Sequence, residues 1–204
     1  YPTAGGAGKE FAQPMYVNSP YGISLAHNGN LTNSKQLSNE LFRAEMRHLT
    51  TDSDSEVLLN VFAQELGKQR EIYPAAKHIF KAVKKTHIRC DGAYAVIALI
   101  TGHGMLAFRD NNGIRPLSIG IRQGNTRDEY IIASEDASFI SLGLTELRDI
   151  DPGEAIFIDK NGNLHSQQCS ENPKKRPCIF EYVYFSRPDS KIDEISVYKA
   201  RMRM

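Results

Sequence analysis

Tryptophan is absent from the chain, and its three cysteines, Cys90, Cys169 and Cys178, are odd in number and far apart. They make neither a disulfide framework nor a complete zinc site, and reduced thiols in a reducing compartment fit that usage. Net charge is nearly absent as well: 25 Lys and Arg stand against 24 Asp and Glu, a balance of +1. That leaves no basic field for nucleic acid and no acidic field for cationic partners, so recognition has to come from a local site. No apolar run approaches the length of a bilayer span, and Tyr1 to Ala12 lack the charged-then-apolar pattern of a signal peptide. A soluble cytoplasmic protein with no membrane partner is the expectation. The sequence also lacks a metal constellation, a dinucleotide glycine fingerprint after a strand, and a Gly-x-Ser-x-Gly elbow.

What is present is an ordinary globular composition, 41% hydrophobic over 204 residues, enough for one large domain or two small ones. Residue 1 is Tyr rather than Met, and Ala200 to Met204 look helical with no cap or breaker after them. A piece of a longer polypeptide, cut at both ends, is expected.

The most informative stretch is Tyr21 to Asn30. Ile23 and Leu25 alternate with small or polar residues, a strand signal, and Asn28-Gly29 is a turn signal after it. Locally a plain hairpin is the favoured reading. The alternative is that an amide side chain and a backbone N–H, fixed together at a strand end, serve as an oxyanion hole for acyl transfer.

Around that stretch, Gly5 to Gly8 form a glycine-rich loop that lacks the Lys-Ser or Lys-Thr ending of a phosphate-binding loop, and Gln13 to Val17 make a short edge strand. Asn33 or Ser34 can cap a helix to about His48. Ser53 and Glu56 have capping-box spacing ahead of a second helix, where Asp52 and Asp54 suit the helix dipole without any ligand, although an Asp in such a loop could hold a substrate ammonium. Pro74 opens a third helix, Ala75 to Lys85, with a solvated lysine face. Ala93 to Thr101 is a nearly continuous apolar run, the mark of a strand covered on both faces. Turns at 102–104 and 110–113 then suggest an antiparallel meander through Met105–Arg109 and Pro116–Gly120. Further expectations are a strand at Glu129–Ser134, a short helix at Asp136–Leu142, a hairpin turning at Lys160-Asn161-Gly162, a polar linker over 170–178 and a last strand at Ile179–Phe185. His103 has no second ligand at metal spacing, and Cys90 and Cys169 suit small buried positions better than reactive ones.

Several runs, among them Tyr1-Pro2-Thr3-Ala4-Gly5, Leu25-Ala26-His27-Asn28-Gly29-Asn30, Ser53-Asp54-Ser55-Glu56 and Glu181-Tyr182-Val183-Tyr184-Phe185-Ser186-Arg187-Pro188-Asp189-Ser190, closely resemble the glutaminase domain of the glutamine phosphoribosylpyrophosphate amidotransferase (amidophosphoribosyltransferase) family. The likeness runs in order along essentially the whole chain. It implies an α+β fold, a four-layer αββα sandwich of the N-terminal nucleophile hydrolase type, incomplete at its N-terminus. Residues 1–178 would be the glutaminase domain, and 179–204 a last strand and junction toward an absent phosphoribosyltransferase domain. The implied reaction is the first step of de novo purine biosynthesis. An N-terminal Cys hydrolyses glutamine, and the ammonia converts phosphoribosylpyrophosphate to 5-phosphoribosylamine.

Position by position, the resemblance implies that the Asn28 amide and the Gly29 N–H form the oxyanion hole and that Asp54 holds the glutamine ammonium. Thr3, with an Arg the family carries just before Tyr1, would contact the α-carboxylate, and Tyr184 would help couple the two domains. The nucleophilic Cys is not in the sequence, so these residues by themselves are expected to be inactive. The family also implies magnesium in the transferase domain and a homo-oligomer when intact. Cys178 sits where some members place one iron–sulfur ligand, which leaves a cluster undecided. The other readings are the glutaminase of another class II amidotransferase, such as glucosamine-phosphate synthase, and a noncatalytic binding or assembly module.

Overall fold

Apolar alternation organises the first sheet of the computed structural model, which describes residues 8–204. Met15–Val17 (β1) and Ile23–Leu31 (β2) pair antiparallel with Met15 opposite Leu25, and Ile23, Leu25 and Leu31 turn to one buried face. Three helices, Ser34–Glu45 (α1), Asp54–Gly67 (α2) and Ala76–Arg89 (α3), cover that face. Seven strands follow: Gly92–Ile100 (β3), Gly104–Arg109 (β4), Ser118–Arg122 (β5), Glu129–Ala133 (β6), Glu146–Asp149 (β7), Glu154–Asp159 (β8) and Leu164–Gln168 (β9). They complete a six-stranded antiparallel sheet in the order β1-β2-β3-β4-β8-β9 and a three-stranded sheet in the order β6-β5-β7. The small sheet packs on the face of the large one that the helices leave open, as Ile119, Leu117 and Ile150 meet Ala95, Ala107 and Ile156.

The burial of each element explains its composition. The run in β3 is apolar because both faces are covered: Tyr94, Val96 and Ala98 point to the helices, while Ala95 and Ile97 point to the second sheet. α2 buries residues almost all round, which suits a helix wedged between the sheet, α1 and α3. Its N-terminus is capped by Ser53 Oγ, which accepts from Ser55 N at 3.3 Å. Glu56 leaves the reciprocal half of the box unmade and turns back to the N–H groups of Thr50 and Thr51.

Several expectations fail for tertiary reasons. β5 leaves the meander for the second sheet, so β4 pairs with β8 instead. Residues 136–142 make a string of tight turns rather than a helix, with Phe139 N–H bonded to Asp136 O and Gly143 at φ +79°. The stretch is too short to pay for helix nucleation, and it lays Phe139 and Leu144 against Gly120 on the outside of the small sheet. The 170–178 stretch is not loose: Lys174, Arg176 and Cys178 donate N–H groups to the carbonyls of Asn111, Asn112 and Ile114.

Residues 179–185 are not a strand. Glu181–Phe185 forms one wide helical turn closed by Ser186 N–H on Glu181 O, because Arg201 takes the carbonyls of Tyr182 and Ser186. Lys191–Ile192 (β10) and Ile195–Ser196 (β11) then make a tiny hairpin before Val197–Arg203 (α4), with Tyr182, Ile192 and Val197 as a separate small core.

One buried cation ties these parts together. Arg109, 1% exposed, donates to the carbonyls of Arg115, Ile150 and Gly113 and pairs through both end nitrogens with the Asp193 carboxylate, at 3.1 and 3.2 Å. A guanidinium has five N–H donors, and here each has an acceptor. Removing the charge strands Asp193 in the interior with Lys175 as its one remaining cationic partner among the described residues. Arg109→Met is therefore expected to lower unfolding stability by ~3–5 kcal/mol. Urea denaturation checks it, and a loss near zero would mean that Asp193 finds water on its own.

Candidate functional site

Sequence spacing makes Asn28-Gly29 a turn, but both residues lie inside β2, opposite Ala95 and Tyr94 of β3. The local turn preference loses to nine consecutive cross-strand pairs between β2 and β3. Gly29 is extended but at φ +151°, and a Cβ there would stand 1.9 Å from Ala93 O and 2.9 Å from His27 Nε2. Only glycine lets the β3 backbone and the His27 ring close over this point. Asn28 shares a sheet face with Ala95, so its side chain points to the space between the two sheets, whereas His27 points to the helices.

On the helix side the end of β2 meets the start of α2. Asp54, 4% exposed, takes the Leu31 N–H on Oδ2 at 2.9 Å. Its Oδ1 lies 4.0 Å from His27 Nδ1. Among the described residues, no hydrogen bond reaches that second oxygen. Next to it, Ser55 Oγ is 3.1 Å from His27 Nδ1 and accepts from Gln13 Nε2 at 3.1 Å, while Gln13 Oε1 accepts the His27 backbone N–H. Burial pushes the His27 pKa down, against the pull of Asp54 and with a smaller push from the charge of Arg115. Two strands, one loop and the N-terminus of α2 thus converge on the Gly29–Leu31 backbone.

Of the sequence-predicted residues, Gly29 and Asp54 are neighbours on the helix side, with the Asp54 carboxylate on a backbone N–H two residues past Gly29, whereas the Asn28 side chain lies on the opposite face of β2. Thr3 lies outside the described residues. Tyr184 is far more exposed, at 70%, with its ring edge-on to Phe185 on the wide turn. Arg115 connects that turn to the body through Glu181 at 2.9 Å and the Phe185 ring at 5.2 Å. Cys178 is half-buried beside Ile114. Among the described residues, no three His, Cys, Asp or Glu side chains gather in a way that could hold a metal ion. Burial pushes the thiols of Cys90 and Cys169 up to about 12, which makes both poor nucleophiles at neutral pH. No described helix is long and apolar enough to cross a membrane.

Gln13, His27 and Ser55 carried no predicted role. Nothing in their spacing brings positions 13, 27 and 55 together.

Comparison with known proteins decides the family. A profile described as a glutamine amidotransferase domain matches residues 7–141. The chain belongs to the glutamine amidotransferase domain family. Amidophosphoribosyltransferase of Pseudomonas aeruginosa is 56% identical over 204 residues, and that of Escherichia coli 56% over 205. Each alignment covers all of this chain and 41% of the relative, so the chain spans about two-fifths of the length of the curated proteins it matches. Among solved structures, the Bacillus subtilis glutamine phosphoribosylpyrophosphate amidotransferase complexed with ADP and GMP superposes with a TM-score of 0.78 at 36% identity, covering 96% of this chain and 40% of that one. The α+β sandwich of this amidotransferase domain is thus that of the N-terminal nucleophile glutaminases.

The tight approach at Gly29 has a direct test. Gly29→Ala is expected to cost about 1–3 kcal/mol from overpacking and a strained backbone. It would be read as a lowered denaturant midpoint, and an unchanged midpoint would show that β2 and β3 have room for a side chain.

Proposed function

We propose that the chain is the glutaminase part of an amidophosphoribosyltransferase. Glutamine is hydrolysed to glutamate and ammonia, and the ammonia displaces pyrophosphate from phosphoribosylpyrophosphate to give 5-phosphoribosylamine. The observation that carries this reading is the 56% identity to amidophosphoribosyltransferase along all 204 residues, motif runs included. The geometry at the end of β2 supports the glutaminase half.

In this reading the Asn28 amide and the Gly29 N–H face the carbonyl oxygen as it gains charge, where fixed donors contribute most. The Asp54 Oδ1, which no hydrogen bond reaches among the described residues, takes the substrate ammonium, and Thr3 contacts the carboxylate. The nucleophile is the N-terminal cysteine that the family resemblance implies, and the buried thiols of Cys90 and Cys169, held in the neutral form, do not replace it. Tyr184, exposed on the wide turn, relays occupancy between the domains. Phosphoribosylpyrophosphate, its magnesium and the homo-oligomer contacts fall to segments beyond these residues, in a cytoplasmic enzyme, and Cys178 belongs to no group of three or more potential metal ligands among the described residues.

The reading separates two activities of one enzyme. Asp54→Ala in the full-length protein is expected to lower glutamine-dependent kcat/KM by ~10²-fold, the loss of a charge-assisted contact, while synthesis from added ammonia is kept. Assaying both routes side by side checks it, and equal losses would make Asp54 a purely structural residue.

A further inference from the structure

The polar groups behind Asp54 have one consistent arrangement of hydrogens. A backbone N–H can only donate, so the bond from His27 N fixes Gln13 Oε1 as the acceptor and turns Gln13 Nε2 toward Ser55. Ser55 Oγ receives that N–H. On the other side of the ring, His27 Nε2 faces the Ala93 carbonyl at 3.4 Å, which can only accept, so Nε2 carries the imidazole hydrogen. With the ring neutral, as its burial favours, Nδ1 is a lone pair, and the Ser55 hydroxyl donates to it at 3.1 Å. The chain of donors therefore runs from Gln13 through Ser55 into His27, and it stops one step short of Asp54.

We propose that Ser55 is a positioning residue for glutamine binding. Its hydroxyl occupies His27 Nδ1, keeps the imidazole neutral and 4.0 Å from Asp54, and so prevents His27 from becoming an internal cation that competes with the substrate ammonium. The inference rests on Asp54 being the ammonium site.

The alternative state is close at hand. Protonation at Nδ1 would turn it into a donor facing the Asp54 carboxylate, and a small ring shift would close a buried ion pair. Three features oppose that state. His27 is 8% exposed, Ser55 already fills the Nδ1 lone pair, and the ring is confined by the Gly29 backbone below it. The charged groups acting on the ring are Asp54 from α2, which favours the cation, and Arg115 from the loop after β4, which opposes it; Ser55, Gln13 and the Ala93 carbonyl are its neutral neighbours. Ser55 is the one member whose loss frees Nδ1 without touching Asp54.

The test is Ser55→Ala in the full-length enzyme, assayed with glutamine and with ammonia between about pH 6 and about pH 8.5. Freed of its hydroxyl donor, His27 becomes easier to protonate at Nδ1, drawn by the Asp54 carboxylate, while burial still opposes the cation. Its cation then competes for Asp54, so KM for glutamine is expected to rise about threefold near pH 6 and to return to the unsubstituted value near pH 8.5. kcat and the ammonia route stay in place. Adding His27→Gln to Ser55→Ala removes the competitor and flattens the KM profile. A KM raised equally at all pH values, or a fall in kcat at constant KM, overturns the inference.

A second measurement needs no variant. Imidazole ring NMR of the unsubstituted enzyme is expected to show His27 neutral, with Nε2 protonated, down to about pH 6. A ring that is half cationic near pH 6.5 overturns the inference. Failure of the ammonium reading looks different, because Asp54→Ala would then depress both routes alike. Selective loss in Asp54→Ala, with a pH-independent Ser55→Ala, removes the role of Ser55 alone.

Discussion

At residue 29 the space a side chain would need is already filled, by the Ala93 carbonyl on one side and the His27 ring on the other. Everything placed at this end of the molecule depends on that close approach. It lets β2 continue past Gly29 in register with β3, so that Leu31 N–H reaches Asp54 and the N-terminus of α2 docks on the strand. It also sorts the polar groups by face. Asn28 looks between the sheets, and His27, Ser55 and Asp54 lie under the helices, with the Gly29–Leu31 backbone between the two sets.

The rest of the fold holds that backbone still. α2, buried on nearly every side, fixes the depth of Asp54, and β3, covered on both faces, gives β2 a rigid partner. Arg109 does the equivalent for the far end of the sheet. Its five satisfied donors join β4, the 113–115 loop, the end of β7 and the β10–β11 hairpin at one point. Arg115 leaves that loop for Glu181 and Phe185, so the exposed aromatic turn carrying Tyr184 is mechanically continuous with the sheet that carries Asn28. The polar 170–178 stretch adds backbone bonds to the same loop.

Much of this was legible in the residues. The apolar run from Ala93 encodes a doubly covered strand because its composition has no polar face to spare, and Ser53 marks the start of α2 because a hydroxyl there has a specific donor to satisfy. The failures share a cause. Asn28-Gly29 reads as a turn, 136–142 as a helix and 179–185 as a strand when only near neighbours are weighed. Each is overruled by distant groups: the β3 ladder, the small-sheet surface at Gly120 that takes Phe139 and Leu144, and the Arg201 guanidinium that captures two carbonyls. The site is legible for the same reason only in part. Asn28, Gly29 and Asp54 stand out through motif resemblance, whereas the Gln13–Ser55–His27 group exists only once β1, β2 and α2 have packed.

The central claim is that the Asn28 amide and the Gly29 N–H together receive the developing oxyanion. It is tested most directly by NMR of the full-length protein carrying a tetrahedral adduct of the γ-aldehyde analogue of glutamine. The account predicts that the Gly29 amide proton and one Asn28 side-chain amide proton both move downfield on adduct formation, as donors to a charged oxygen do. Adduct formation that leaves those two resonances where they were, and moves others instead, would contradict it.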